Sequence, residues 1–287
     1  MDLLTVTCDR DFEITTVQAK SIQKYLATCT HWVLVNDTSK TREEWIDALT
    51  PFYTRHKLNL LFSQDFPYFT QHGWISQQIY KCLAVTKINN DYVIIDAKNF
   101  FIKPTDLSKW THEGSGRVEI MPTHPILPKD VRRFHEADII VRKYCEVIGV
   151  DLVPEVFSVT TPFIVRKYIM NKVVDFLMRD NIFLRDPTQG YPWHSEFILY
   201  SIFANQVKLP FSRIAQIWSE NGKSLVFWEG CDDFDDYYTK LNLFDDFQLS
   251  GVHRSWLITA SQENKNKIVT WLESIEILTP EFKKKLS

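Results

Sequence analysis

Tyr92-Val93-Ile94-Ile95-Asp96-Ala97-Lys98-Asn99-Phe100-Phe101 is the stretch on which the fold turns. An apolar run that ends on a carboxylate predicts a strand, Tyr92–Asp96, buried on both faces, with a charged group delivered at its carboxyl end. Outward from it, toward the N-terminus, Ile75, Ile79, Cys82 and Leu83 recur at helical spacing, and Leu58–Phe62 predicts another strand. Thr41 and Glu44 have the spacing of a capping box before a short helix around Trp45 and Leu49. Trp32–Val35 predicts a further strand, Ile14, Val17, Ile22, Tyr25 and Leu26 a helix, and Leu4–Cys8 the first strand, which runs into Asp9-Arg10-Asp11. Continuous apolar strands alternating with helices give an α/β fold: a mostly parallel sheet with these four strands as neighbours, flanked by helices. Ligands of such sheets bind beyond the carboxyl ends of the strands. Asp9, Asp37 and Asp96 all fall there, although Asp is also an ordinary turn residue.

The second half is less regular. Pro128 leads into a helical pattern through Phe134, Val141, Cys145 and Ile148, stopped by Gly149. Val153–Thr160 predicts a strand, and Pro162 opens a helix with Ile164, Tyr168, Val173 and Leu177. Ser195 precedes a helix through Phe197, Leu199, Tyr200 and Phe203. Leu225–Trp228 is a short strand candidate, and Ser261 is placed to cap a last amphipathic helix. There is no repeat, low-complexity tract or Gly/Ser linker, so residues 1–287 are expected to form one domain. Residues 1–106, the regular part, and residues 107–287 would be its two halves.

With 287 residues, 45% of them hydrophobic, the chain can bury a large core. A formal charge of −3 with interspersed signs argues against a general nucleic-acid binder, which needs excess Lys and Arg. Five cysteines, Cys8, Cys29, Cys82, Cys145 and Cys231, lack a C-x-x-C pair and suggest neither a disulfide framework nor a zinc site. No signal-peptide pattern opens the chain and no run of about 18 apolar residues occurs, so a cytoplasmic protein without a transmembrane segment is expected. The sequon Asn36-Asp37-Thr38 is then a chance match.

Gly73-Trp74-Ile75-Ser76-Gln77-Gln78-Ile79-Tyr80-Lys81 followed by the Asp96 strand resembles a poorly characterised glycosyltransferase-like family. Its members carry a Gly-Trp-x-x-Gln-Gln-x-x-Lys helix before a strand ending in Leu-Asp-x-Asp/Lys. Further parts of the resemblance are the strand bearing Thr7, the Ser195-Glu196-Phe197 helix start, and Val252-His253-Arg254. It implies a Rossmann-type GT-A fold and transfer of a sugar from a nucleotide-diphosphate sugar to a glycan or other hydroxyl acceptor, with residues 1–106 as the nucleotide-binding half and residues 107–287 as the acceptor side. In that fold an Asp-x-Asp holds a divalent metal, Mn²⁺ or Mg²⁺, against the donor diphosphate, whose leaving charge must be neutralised.

Here position 98 is Lys. Asp96 with His253 could still ligate Mn²⁺. Alternatively Lys98 is itself the cation facing the diphosphate, or it simply pairs with Asp96. By the same resemblance Thr7, Asp9 and Asp37 hold the nucleotide, and Arg254 closes over the diphosphate with His253. Gln77 and Lys81, four apart on one helix face, and Gln78 offer donors to sugar hydroxyls and phosphate. Periodicity alone would make that face merely solvated.

Glu196 would be the general base for the acceptor, pointing to inversion. A carboxylate at a helix start is also favoured by the helix dipole without any catalytic role. His194 is a rival base. Trp74, Tyr191 and Trp193 could stack against sugar, or be ordinary core. The acidic run Asp232–Asp236 reads as a helix start with a solvated face. Two other functions fit the same fold. A nucleotidyltransferase would attack phosphorus, but Thr5–Asp11 contains no glycine for a phosphate loop. A non-catalytic nucleotide-sugar-binding protein would account for the lysine at position 98.

Overall fold

A computed structural model describes residues 1–36, 39–66, 73–111, 117–118, 120–122, 132–153, 155–157, 161–179, 196–207, 217–218, 224–227, 234–235, 238–239 and 248–286. In chain order the first elements are β1 (Asp2–Thr7), α1 (Phe12–Tyr25), β2 (Thr30–Val35), α2 (Arg42–Leu49), β3 (Lys57–Phe62), α3 (Gly73–Leu83) and β4 (Tyr92–Asp96). They continue with β5 (Asn99–Phe101), β6 (Arg117–Val118), β7 (Ile120–Pro122), α4 (Arg132–Ile148), β8 (Glu155–Phe157), β9 (Phe163–Val165), α5 (Lys167–Arg179) and α6 (Glu196–Gln206). The last are β10 (Ile217–Trp218), β11 (Ser224–Phe227), β12 (Leu249–Val252), α7 (Arg254–Thr259), α8 (Gln262–Ser274) and α9 (Pro280–Leu286).

The main sheet has the order β3-β2-β1-β4-β9, with β3, β2, β1 and β4 mutually parallel and β9 antiparallel at the edge. The four parallel strands are the four runs read from the sequence. In β1, β4 and most of β2 the apolar content follows from burial on both faces, whereas β3 is the sheet edge and is only partly buried. Leu4, Val6, Tyr92 and Ile94 join a core with α3, α4, α5 and α6, while Leu3, Val93 and Ile95 pack against Ile22 of α1 and Leu26 just after it. Each such side chain contributes roughly 1.5–3 kcal/mol relative to exposure. Thr41 caps α2 in the expected capping box with Glu44, and Ser261 caps α8 by accepting from the Asn264 amide. Gly149, at φ 77°, ends α4 in the left-handed conformation that glycine adopts without strain.

The expected helix from Pro162 is corrected. Phe163–Val165 is an extended strand, fully buried, paired antiparallel with Tyr92–Ile94, and the helix starts only at Lys167. Completing the sheet edge outweighs the helical spacing of Ile164. Of the expected strand Val153–Thr160, residues 155–157 are described as strand, paired with β7; Thr160 lies outside the described residues. Pro128, Cys231 and Trp228 also lie outside them.

Helix α6 is buried over all of Glu196–Ala204 and packs on α3, α4 and α5. A helix apolar all round belongs at the centre of a core, which makes the carboxylate at its start conspicuous. A second sheet, β11-β12-β5, begins where β4 ends, with Gly251 opposite Asn99 and the Val252 amide donating to Lys98 O at 3.1 Å. Its cover is α7, α8 and α9, which return to α1: Thr16 Oγ1 lies 2.7 Å from Thr279 Oγ1, and Lys20 Nζ donates to Leu278 O.

A Cβ at Gly251 would stand 2.7 Å from Lys98 O and 3.0 Å from Asn99 Nδ2. Gly251→Ala is therefore expected to push β12 off the turn after β4, lowering stability by about 1–3 kcal/mol in denaturant titration. An unchanged midpoint would show that the two segments are not in close approach. Among the described residues no helix is long and apolar enough to cross a membrane.

Candidate active site

From β1 the chain moves outward to β2 and β3, then returns to place β4 on the other side of β1. That reversal is a topological switch point, where α/β sheets open a crevice beyond the strand ends. Asp96 ends β4 there, in register with Val6, one residue short of the end of β1.

Among the described residues, Asp96 is one corner of a four-member ionic cluster. Its Oδ1 lies 3.3 Å from Lys81 Nζ of α3, its Oδ2 pairs with Lys98 Nζ, and Lys81 Nζ lies 2.9 Å from Glu196 Oε1. The Lys81 ammonium also sits 5.1 Å from the centre of the Phe197 ring. Side-chain exposure divides the cluster in two: Glu196 at 1% and Lys81 at 7% are buried, whereas Asp96 at 29% and Lys98 at 18% are partly exposed. The open end is therefore Asp96 with Lys98, and Glu196 closes the other.

Charge states follow from these contacts. Burial on its own would lower Lys81, but Glu196 and Asp96 outweigh it and push the ammonium up. Burial would raise Asp96, yet Lys98 and Lys81, with hydrogen bonds from Lys98 and Thr161, hold it well below the carboxylate range. Glu196 is pushed up by burial, against the pull of Lys81.

The structure brings Lys81, Asp96, Lys98 and Glu196 together and puts the other sequence candidates around or outside them. His253 follows β12 directly, beside the backbone of Lys98, and its Nδ1 accepts from the Ser255 amide at 3.2 Å to cap α7. Arg254 is exposed on the first turn of that helix. Gln77 and Gln78 are half-buried on α3, one turn before Lys81. Thr7 is buried and bonds to Thr15 Oγ1 at 2.8 Å, so its hydroxyl braces α1 against β1. Asp9 accepts from both the amide and the hydroxyl of Ser39, which ties the end of β1 to the loop after β2. Asp37, Tyr191, Trp193, His194 and the Trp74 side chain lie outside the described residues.

A divalent cation fits this donor set poorly. Both oxygens of Asp96 already face ammonium groups, and a metal there would meet two like charges at contact distance. Among the described residues no group of three His, Cys, Asp or Glu side chains is placed to hold one.

Sequence reasoning missed Thr161, Asn99 and Gln18. Thr161 Oγ1 lies 3.1 Å from both Asp96 Oδ2 and Asn99 Oδ1, and Asn99 Oδ1 accepts from the Asp96 amide at 3.2 Å. Gln18 donates to the carbonyls of Asp96 and Asn99. The available signal was Gln18 itself, a polar residue midway between Ile14 and Ile22 on the apolar stripe of α1.

No protein-family model matches the sequence, and no curated protein matches it. Solved structures match over nearly the full chain at low identity. The chain is similar to the apo structure of the bifunctional glycosyltransferase WbbM, at 12% identity and TM-score 0.46, over 97% of this chain and 51% of that one. It thus spans about half the length of the WbbM chain. It is also similar to the galactosyltransferase LgtC in complex with donor and acceptor sugar analogues, at 12% identity and TM-score 0.48, over 99% of this chain and 100% of that one. An active-site mutant of LgtC matches at 13% identity and TM-score 0.48, over the same shares.

Proposed function

We propose that this protein is a glycosyltransferase that moves a sugar from a nucleoside diphosphate sugar to a hydroxyl acceptor. The observation that carries the reading is the Asp96–Lys98 pair at the open end of a buried ionic cluster, at the switch point of a parallel sheet. The resemblance of the Gln77-Gln78 helix and Asp96 strand to glycosyltransferases supports it.

A departing nucleoside diphosphate carries charge that a preorganised cation must meet in a partly dry site. Lys98 is the cation at the open end, with Asp96 holding it and Lys81 fixing Asp96 from behind. In this reading the diphosphate is neutralised by Lys98 and no step passes through a metal. The nucleotide lies along the ends of β1 and β2, near Thr7, Asp9 and Asp37. Gln77 and Gln78 serve the sugar, and Arg254 approaches from the α7 side with His253.

Glu196 is assigned differently from the sequence expectation. A general base must reach the acceptor hydroxyl. A carboxylate 1% exposed and 2.9 Å from Lys81 is better placed to keep that lysine charged. The same burial favours a second reading, a nucleotide-sugar-binding protein without turnover.

Thermal denaturation with a panel of nucleoside diphosphate sugars tests the reading. The correct donor is expected to stabilise the protein by about 2.7 kcal/mol at a hundredfold excess over its Kd. If no nucleotide or nucleotide sugar moves the melting temperature at millimolar concentration, the donor site is wrongly assigned.

A further inference from the structure

The turn that carries Asp96 and Lys98 is held from beneath by a buried polar chain. Gln18 of α1 donates through Nε2 to Asp96 O at 2.9 Å and to Asn99 O at 2.7 Å, the two carbonyls that flank the turn. Two carbonyl oxygens can be faced only by the NH₂ end of the amide, so Oε1 must point away, toward Thr5 Oγ1 at 2.9 Å. Thr5 has one proton and gives it to Gln18. His31 Nε2, 2.9 Å from the same hydroxyl, must then be the protonated ring nitrogen and donate to Thr5. His31 Nδ1 is left as an acceptor and takes the Tyr53 hydroxyl proton. Burial pushes the His31 pKa down to about 3, which keeps the ring neutral, with the single N–H this order requires.

Every donor in the chain Tyr53, His31, Thr5, Gln18 therefore points toward the turn, and reversing one link would set two donors or two acceptors face to face. Thr5, Gln18, His31 and Asn99 are completely buried, so water cannot replace a broken link. The chain runs from the loop after α2, past the amino end of β2 and the middle of β1, through α1 to the carboxyl end of β4.

We propose that Gln18 is a positioning residue for the donor site: its amide, oriented by Thr5, His31 and Tyr53, sets the Asp96–Asn99 turn and with it the direction in which Lys98 meets a diphosphate. This rests on the functional reading above, since it assumes that a diphosphate binds at that turn. An ordinary core role would lower stability alone. A positioning role moves ligand affinity in protein that remains folded.

Gln18→Met keeps length and removes both donors, and Thr5→Val keeps shape and removes the group that orients the amide. Calorimetric titration with UDP, GDP and ADP, on protein shown folded by circular dichroism, is paired with hydrogen exchange at the Val252 amide, which donates to Lys98 O. For Gln18→Met the expected result is at least a tenfold loss of affinity for whichever diphosphate the native protein binds. Faster exchange should be confined to residues 96–101 and 249–253. Thr5→Val should follow in the same direction, about threefold, and decides the matter if Gln18→Met does not fold. Native affinity in the folded variants, or exchange that rises uniformly, overturns the proposal while leaving the functional reading intact. A native protein that binds none of the three diphosphates removes both together.

Discussion

Lys81→Met is expected to destabilise the protein by about 3–5 kcal/mol, the usual consequence of removing one partner from a buried ion pair. The substitution preserves most of the packing volume and deletes an ammonium that faces both Glu196 and Asp96. Asp96 keeps Lys98. Glu196 is left 1% exposed with its principal counter-charge gone, and must either stay ionised at great expense or take up a proton. Denaturant unfolding measures the loss directly. Glu196→Gln in the same chain removes the stranded charge, so the double variant should recover a large part of the lost stability, and the non-additivity gives the strength of the pair.

The same series separates the two roles for Glu196. As a general base, Glu196→Gln alone lowers turnover by roughly two to four orders of magnitude with stability nearly intact. As the counterion of Lys81, it lowers stability, and transfer persists in the folded fraction. Lys81→Met within about 1 kcal/mol of native stability would show that the cluster is open to water and the pair weak.

Lys98→Ala is expected to weaken diphosphate binding by about ten- to a hundredfold, corresponding to the roughly 1.5–3 kcal/mol of a hydrogen bond to a charged group. Asp96 would remain in place through Lys81 and Thr161, so the fold should be preserved and the loss should fall on the ligand. Chelator should leave native binding unchanged. If chelator abolishes binding and Lys98→Ala does not alter it, the cation is a metal held by Asp96 and His253, and the lysine is a bystander.

Much of the sheet was legible from its apolar content: Trp32–Val35 and Tyr92–Ile95 are unbroken apolar runs, and Leu4–Cys8 and Leu58–Phe62 are interrupted only by Thr5, Thr7 and Asn59. β5 and β12 were not, because three or four residues including Asn99, Ser250 and Gly251 carry no period, and only pairing with each other makes them strands. β9 was misread because Ile164 continues the helical spacing of the residues that follow it, while its partner Val93 lies 71 positions away in sequence.

The candidate site divides in the same way. Lys81, Asp96, Lys98 and Glu196 were each visible as chemistry at an element end or on a helix face. Their union was not visible, because it depends on α6 packing against α3 across more than a hundred residues of chain. Gln18, Thr5 and His31 were invisible as function for a related reason. A polar residue on an apolar stripe announces that it is satisfied by something, and only the fold says by what.

Sugar transfer at the Asp96–Lys98 corner without a metal is the proposed reaction. Its most direct test is the rate of nucleoside diphosphate release from a panel of nucleotide sugars, with acceptor glycans present and excess EDTA throughout. Saturable release from at least one donor is expected, unchanged by EDTA and strongly reduced in Lys98→Ala. Release from none of the donors, or release that vanishes in EDTA and returns with Mn²⁺, would contradict it.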